Sequence, residues 1–433
     1  MHQKSGTKHH HPYLRRNFWA HCLEGGLYMA GSAFLSPEMA MPAFVQSLGG
    51  SAALVGLMPV LLNASMYTPG LFVAPLVERL HHFKPFVVFF GAFQRLPYLI
   101  TALVLFFAPQ LHSWLLPIVV LTPIVSGLLG GIGTNAWMEM VTRMIPEHLR
   151  ASGWAIRYLI QGIVGLGAGL VIHFILQRFP GATGFAWLHL ICFTFLTASY
   201  IAQWTMVEAI ADKHKPTPSP QPYGAYLREL PGLLAGKPNL IKLALARFTG
   251  MGFLMMVSFM SIHALKVSQH PQEDVGYLVF ASMVGGLAGN ILAGWWGNRS
   301  GGRIVMIAAR VLCIIMCLSA IWLTSFAAFL VASFTLGFGL FLDRVGDLTL
   351  AAELCPMERR PTYQGLLAIC LVITSILAVR ISAMLYGSTQ SFTALCLLCA
   401  GFSLTSLILL CFIPEARTSH HASPVLGENP PMA

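Results

Sequence analysis

Long apolar stretches alternate with short polar turns along most of this chain. Windows of about 20 or more apolar residues, the length that crosses a bilayer as a helix, occur twelve times. Because most connections between them are short, neighbouring helices are predicted to be antiparallel. The predicted spans are residues 18–46, 52–78, 85–108, 113–141, 151–177, 184–208, 240–265, 274–297, 304–325, 327–354, 363–386 and 390–413.

Two polar turns occur twice, at nearly constant spacing. An apolar run from Val55 ends in a basic turn at Arg79, and a run from Val275 ends in a similar turn at Arg299, an offset of 220 residues. The second pair of turns, offset by 210 residues, is Pro146–Arg150 and Pro356–Arg360. Matched turns in a mostly apolar chain indicate two similar halves, a construction used by secondary transporters.

One connection differs from the others because it is long, polar and rich in proline. It runs over residues 211–239 and is predicted to be a linker between six helices and six. The predicted fold is therefore an all-α multi-pass membrane protein of two pseudo-symmetric six-helix bundles. The predicted parts are a cytoplasmic tail (1–16), a first bundle (17–210), the linker (211–239), a second bundle (240–413) and a cytoplasmic tail (414–433).

Composition and charge agree with a membrane location. Apolar residues make up 56% of the chain and charged residues 10%, far fewer charges than the roughly 25% of soluble domains. The net charge of +10 comes from bases scattered in short turns, so it does not indicate nucleic-acid binding. Among the basic residues at the ends of the predicted spans, only Arg178 and Lys266 lie on one side, and the others lie on the opposite side. The positive-inside rule then predicts cytoplasmic termini in a cell (inner or plasma) membrane. No removable signal peptide is expected.

The repeated basic turn is similar to that of the major facilitator superfamily, Gly-x-x-x-Asp-Arg-x-Gly-Arg-Arg. The second copy matches at Gly294, Asn298, Arg299, Gly301 or Gly302, and Arg303, and the degenerate first copy at Ala74, Glu78, Arg79 and Lys84. The resemblance covers about residues 17–413 and implies a transporter with alternating access. The turn bases either close a cytoplasmic gate or only obey the orientation rule. The candidate gate residues are Glu78, Arg79, Lys84, Arg150, Asn298, Arg299, Arg303 and Arg360.

The densest group of charges inside a span is in the tenth. Asp343, Arg344 and Asp347 share an arc of roughly 100° and lie roughly 16–23 Å from the following basic turn, near the membrane midplane. The first half has no equivalent group, since Gly133, Thr134 and Trp137 stand at the matching positions. The cluster is interpreted either as a proton-coupling site or as a static salt-bridged staple between helices.

Other charges within spans extend the candidate site. Glu24 and Glu38 in the first span either carry protons or pair with an arginine. Four arginines are candidates for binding an anionic or zwitterionic solute, and any one of them could instead be structural. They are Arg95, Arg247, Arg310 and Arg380.

No enzyme motif is present in the sequence. A phosphate-binding loop, a His-Glu-x-x-His metal motif and a plausible Ser/His/Asp set are all missing. We therefore predict a monomeric transporter of a small solute in the lipid bilayer, without a cofactor, driven by a proton gradient. The alternatives are a non-transporting receptor or scaffold on a transporter-like fold, and an uncoupled facilitator or lipid scramblase.

Overall fold

A computed structural model describes residues 13–77, 80–208, 235–250, 252–355, 360–389 and 391–414, together with residues 224 and 232. Helices account for nearly all of the described chain. In order they are α1 (Leu14–Ala33), α2 (Ala40–Ser47), α3 (Ala52–Val77), α4 (Lys84–Phe107), α5 (His112–Met144), α6 (Glu147–Arg178), α7 (Ala182–Thr205), α8 (Pro238–Gly250), α9 (Gly252–Val267), α10 (Val275–Ser300), α11 (Gly302–Ala320), α12 (Phe326–Leu354), α13 (Arg360–Thr389) and α14 (Phe392–Cys411).

Within the described residues, ten helices are long and apolar enough to cross a membrane. A further pair inside α3, Ala52–Leu62 and Ala64–Gly70, is bent by 48° and makes eleven if it counts as one span. The first predicted span consists of two helices, since α1 ends at Ala33 and α2 begins at Ala40. Pro37 lies in the break, where a residue without an N–H interrupts no helical hydrogen bond. The fold is thus an all-helical multi-pass membrane fold, as the sequence predicts.

The chain forms two compact units, one of which contains the described residues within 13–35, 65–168 and 178–208. In this first unit α1 packs against α7, and α4 packs against both α5 and α7. The α4 N-terminus is capped from the end of α7, because the Glu208 carboxylate accepts hydrogen bonds from the backbone N–H groups of Phe83 (3.0 Å) and Lys84 (2.8 Å). A carboxylate is stabilised there by unpaired N–H groups and the helix dipole.

The second unit contains residues 36–64 and 169–177 together with the described residues from 224 to 414. In it α12 packs against α10 and α11, and α14 packs against α8, α9 and α11. A fully buried apolar cluster that includes Leu243, Met306, Leu350 and Leu410 joins these helices. The predicted linker lies largely outside the described residues, so the division at 211–239 stays a prediction.

The two units contain a similar contact between helices, of the kind that the predicted duplication would produce. Ser199 of α7 donates a hydrogen bond to the Glu24 carbonyl of α1 (2.7 Å), and Ser406 of α14 donates to the Ala246 carbonyl of α8 (2.6 Å). Close to these bonds, glycines let the backbones approach. Gly31 faces Phe195 and the Cys192 carbonyl, and Gly252 faces Phe402 and the Cys399 carbonyl.

We predict that Gly31→Ala and Gly252→Ala each destabilise the protein. A Cβ atom would lie 2.8 Å from the Phe195 Cβ at position 31 and 2.5 Å from the Phe402 Cβ at position 252, and neither neighbour is the end of a flexible chain. Overpacking of this kind costs about 1–3 kcal/mol. The thermal unfolding temperature of the purified protein in detergent measures the effect.

Gly401→Ala in α14 is the matched control, because an added Cβ there meets no atom within 4 Å. Alanine is the better helix former by about 1 kcal/mol, so this change should leave the unfolding temperature unchanged or raise it. Equal stability in all three variants would contradict the proposed close approach.

Candidate functional site: paired charges inside the spans

Two aspartates of α12 each pair with an arginine from a different helix. Asp347 accepts hydrogen bonds from Nε (2.5 Å) and Nη2 (2.8 Å) of Arg247 in α8. An oxygen of Asp343 lies 2.9 Å from Nη2 of Arg310 in α11. Both acids lie on one face of α12 because residues four apart lie one above the other. The sequence predicted the two acids as a pair, but it did not identify their partners.

The arginines of these pairs are more deeply buried than the aspartates. The side chains of Arg247 and Arg310 are 7% and 5% exposed, and those of Asp347 and Asp343 are 19% and 29% exposed. Arg310 is further anchored by donating from Nε to the Ser406 hydroxyl (3.0 Å). The cations are thus fixed inside the helix bundle, and each carboxylate retains an open side.

Arg344 does not share the contacts of its two acidic neighbours. It is exposed, and its guanidinium lies over the Phe341 ring, 5.6 Å from the centroid. Among the residues that the structure describes, no carboxylate lies within 4 Å of it. On a helix with 100° per residue, Arg344 is rotated about 60° beyond Asp347, so three neighbouring charges need not face one partner. Arg380 of α13 is also exposed.

The first unit contains a charge pair surrounded by aromatic rings. Nη1 of Arg157 in α6 lies 2.9 Å from the Glu24 carboxylate and 3.0 Å from Nδ1 of His21, both in α1. The same guanidinium lies against the rings of Trp137 (5.0 Å) and Trp154 (4.8 Å). Glu24 and Arg157 are 8% and 5% exposed, so this pair is closed on all sides. The structure therefore shows the arginine that pairs with Glu24.

The Arg95 guanidinium binds backbone carbonyls and a tyrosine ring, and it forms no salt bridge with a described carboxylate. It donates to the carbonyls of Leu196 (2.6 Å) and Gly91, and it lies over the Tyr200 ring at 4.9 Å. In the first unit it connects α4 to α7, as Arg310 connects α11 to α14 in the second. This equivalence could have been found from sequence, since both arginines lie in the third predicted span of their half.

Two further candidates, Glu38 and Arg303, contact polar groups near helix ends. Glu38 lies in the break between α1 and α2, with an oxygen 3.5 Å from the Ser36 hydroxyl. Arg303 donates to the carbonyls of Leu410 (3.1 Å) and Cys411 (2.9 Å), where it caps the C-terminus of α14.

The other predicted gate residues are described in part. Arg299 lies over the ring of Trp295 in its own helix, 4.3 Å from the centroid. Lys84 is half-buried at the capped start of α4. Glu78 and Arg79 lie outside the described residues, as do the side chains of Arg150, Asn298 and Arg360.

Comparisons with known proteins identify the architecture. Three solved structures match nearly the whole chain: a D-xylose–proton symporter (TM-score 0.70, 14% identity, 94% of this chain and 99% of that one), a variant of the nucleoside transporter NupG (0.66, 12%, 92% and 99%) and a bacterial homologue of the iron transporter ferroportin in an inward-facing state (0.61, 13%, 92% and 98%). At such low identities the matches establish the fold alone. No protein of curated function has a matching sequence.

A family model matches part of the sequence. The Major Facilitator Superfamily model matches residues 243–431, the second of the two repeats and the chain that follows it. The family consists of transporters, which agrees with the prediction that the chain is not an enzyme. Over residues 243–431 this chain is therefore similar to the major facilitator superfamily, and its fold is that of a multi-pass membrane protein.

Proposed function

We propose that the protein is a proton-coupled transporter of a small anionic or zwitterionic solute, working by alternating access between its two halves. The observation that supports proton coupling is the geometry of α12, where Asp343 and Asp347 face buried arginines on one side and remain partly exposed on the other. A coupling group needs a counter-ion in one state and a route for a proton in the other.

Protonation gives such a group two states. Ionised Asp343 and Asp347 neutralise Arg310 and Arg247, so the four residues are jointly neutral and tolerable within the membrane. A proton on either aspartate removes its negative charge and leaves the facing arginine without a partner. Because an unpaired charge there is costly, proton binding would favour a conformation in which the arginine meets water or an anion.

The solute class is proposed from two arginines that form no salt bridge with the described residues. Arg344 and Arg380 are exposed, and a guanidinium facing hydrocarbon costs about 2.5–3.5 kcal/mol even by the most permissive scale. We therefore assign them to the aqueous route, where they would attract a negatively charged group. Arg95, Arg247 and Arg310 are not proposed to bind the solute, because each guanidinium already binds other groups of the protein.

The neighbouring structures are compatible with this proposal. One is named as a proton symporter of D-xylose and another as a nucleoside transporter, so the shared fold accommodates small polar solutes and proton coupling. The transport assays distinguish this proposal from three alternatives: an uncoupled facilitator, a lipid scramblase and a non-transporting receptor.

We further propose that the protein is a monomer with cytoplasmic termini in a cell membrane, and that the basic turns contribute to a cytoplasmic gate. Arg303 supports the gate, because its capping of α14 joins the turn after α10 to the end of the last helix. The position of Arg299 over Trp295 is compatible with either a gate residue or a base that follows the orientation rule.

We predict that Asp343→Asn and Asp347→Asn abolish proton-driven accumulation while counterflow persists. Proteoliposomes that contain pyranine report lumenal pH while radiolabelled carboxylates, amino acids, uridine and D-xylose are tested in turn. With an imposed gradient of one pH unit, one coupled proton drives accumulation up to about tenfold, and the variants should lose this factor. Proton movement accompanying uridine or D-xylose alone would contradict the solute class, and solute movement without protons would identify a facilitator.

A stability control separates coupling from a static staple. Asp347→Asn alone leaves Arg247 buried and unpaired, so it should lower the unfolding temperature, and the double variant Arg247→Gln with Asp347→Asn should recover part of the loss. If the double variant is stable and transports with full proton coupling, the pair is a staple and the coupling assignment is wrong.

We predict that Arg344→Gln and Arg380→Gln each raise the half-saturating concentration for an anionic solute by about tenfold. This is the effect expected from losing one charge-assisted contact of about 1.5 kcal/mol. Concentration-dependent counterflow measures the change. Arg143→Gln, which removes an exposed base that lies over the Phe83 ring, should leave it unaltered. Equal effects of all three changes would indicate a general loss of positive charge rather than a binding site.

A further inference from the structure

A cluster of titratable side chains lies in the second unit, at the ends of helices opposite the basic turns. We call His173, His270, Asp274 and Tyr277 the histidine latch. One oxygen of Asp274 lies 3.3 Å from Nδ1 of His173, and the other lies 2.6 Å from Nδ1 of His270. The Tyr277 hydroxyl lies 3.2 Å from Nε2 of His173, with the two rings 4.2 Å apart. Asp274 itself is buried, at 9% exposure.

The two histidines differ in what they join. His270 and Asp274 are four residues apart in the turn before α10, so their contact is local and survives movement of whole helices. His173 comes from the last turns of α6, in the first repeat of the sequence, and reaches Asp274 and Tyr277 across a helix interface. Separation of α6 from α10 at this end would break the contacts of His173 alone.

The remaining polar contacts at this end are neutral. The Gln272 amide donates to the Ala43 carbonyl (3.2 Å), and the Ser261 hydroxyl donates to the Met39 carbonyl (3.4 Å). Beside the latch α6 and α10 touch through their backbones, since a Cβ at Gly276 would meet both the Gly169 carbonyl and the His173 N–H at 2.5 Å. Neutral hydrogen bonds and glycine contacts do not respond to pH, so these contacts contribute no pH response at this interface.

Protonation of His173 changes the charge of the latch without disturbing its geometry. Nδ1 of His173 lies 3.3 Å from Asp274 without forming a hydrogen bond, whereas Nε2 of the neutral ring can accept from the Tyr277 hydroxyl. The imidazolium carries an N–H on both nitrogens. The imidazolium adds Coulombic attraction to a buried carboxylate. Histidine is the side chain that changes charge between pH 5 and 8.

Other ionisable groups lie on the elements around the latch. They are His270 and Glu273 in the turn, Tyr277 in α10, Lys266 in α9 and Arg178 at the end of α6. A protonated His270 would repel a protonated His173, but the Asp274 carboxylate is in contact with both rings. The attraction to the nearer, opposite charge therefore decides the sign.

We propose that the histidine latch makes opening of this face depend on the pH of the compartment that it meets, with acid holding the face closed and alkali releasing it. The sign follows from the contact: a charged His173 ring attracts the Asp274 carboxylate only while α6 and α10 are together, so lowering the pH favours the closed arrangement. One proton changes the closed-to-open ratio by at most about tenfold per pH unit. The proposal requires alternating access, but neither the identity of the solute nor proton coupling at Asp343 and Asp347.

The test measures the distance across the latch directly. Spin labels on non-native amino acids at Gln177 in α6 and Gln269 in the turn before α10, two exposed positions, avoid the nine native cysteines. Double electron–electron resonance of the full chain in lipid nanodiscs is recorded between pH 5.5 and 8.5. We expect the short-distance population to grow as the pH falls and the long-distance population to grow as it rises.

The variants identify the residue responsible. His173→Asn should remove most of the pH response, whereas His270→Asn, which removes the local contact only, should retain it. Asp274→Asn should also abolish the response, and it serves if His173→Asn does not fold. A wild-type distance distribution that is constant from pH 5.5 to 8.5, or a full response in His173→Asn, would overturn the proposal. Because no solute is present, these outcomes are independent of the transport assays.

Discussion

The cost of a charge in hydrocarbon constrains this protein more than any other interaction. An ionised side chain at the middle of a span is tolerated only with a partner or with water. Each of the deeply buried arginines meets that condition in its own way: Arg157 with Glu24, Arg247 with Asp347, Arg310 with Asp343, and Arg95 with carbonyls and a tyrosine ring. Each of these contacts joins two different helices, which for all but Arg310 and Asp343 are distant in sequence.

The duplicated halves solve this problem with one scaffold and different side chains. The serine-to-carbonyl bond and the glycine contact between the first and last helices of each half are the same in both units. The charges differ. At the position that corresponds to Asp347, the first half has Trp137, whose ring lies against Arg157 instead of accepting its hydrogen bond. At these corresponding positions, the first half therefore has an aromatic side chain and the second half has a titratable one.

The exposed fractions of the charge pairs separate fixed contacts from adjustable ones. Glu24 and Arg157 are both closed off, which suits a permanent connection between α1 and α6. Asp343 and Asp347 are several times more exposed than their arginines, which suits a group that exchanges a proton. The histidine latch is proposed to be an adjustable contact, because Asp274 contacts one imidazole nearby in sequence and one from a distant helix.

The sequence by itself determined the all-helical membrane class, because hydrophobic length is a local property of the chain. It predicted twelve spans, of which the described residues show ten, or eleven with the bent pair, and the duplication stays a prediction. It also placed Asp343 and Asp347 on one helix face, since that follows from helical geometry. It did not determine that Arg247 and Arg310 are their partners, that Arg344 turns away, or that His173 reaches Asp274. Those contacts join residues from different helices, and only the tertiary packing of the helices decides which side chains meet.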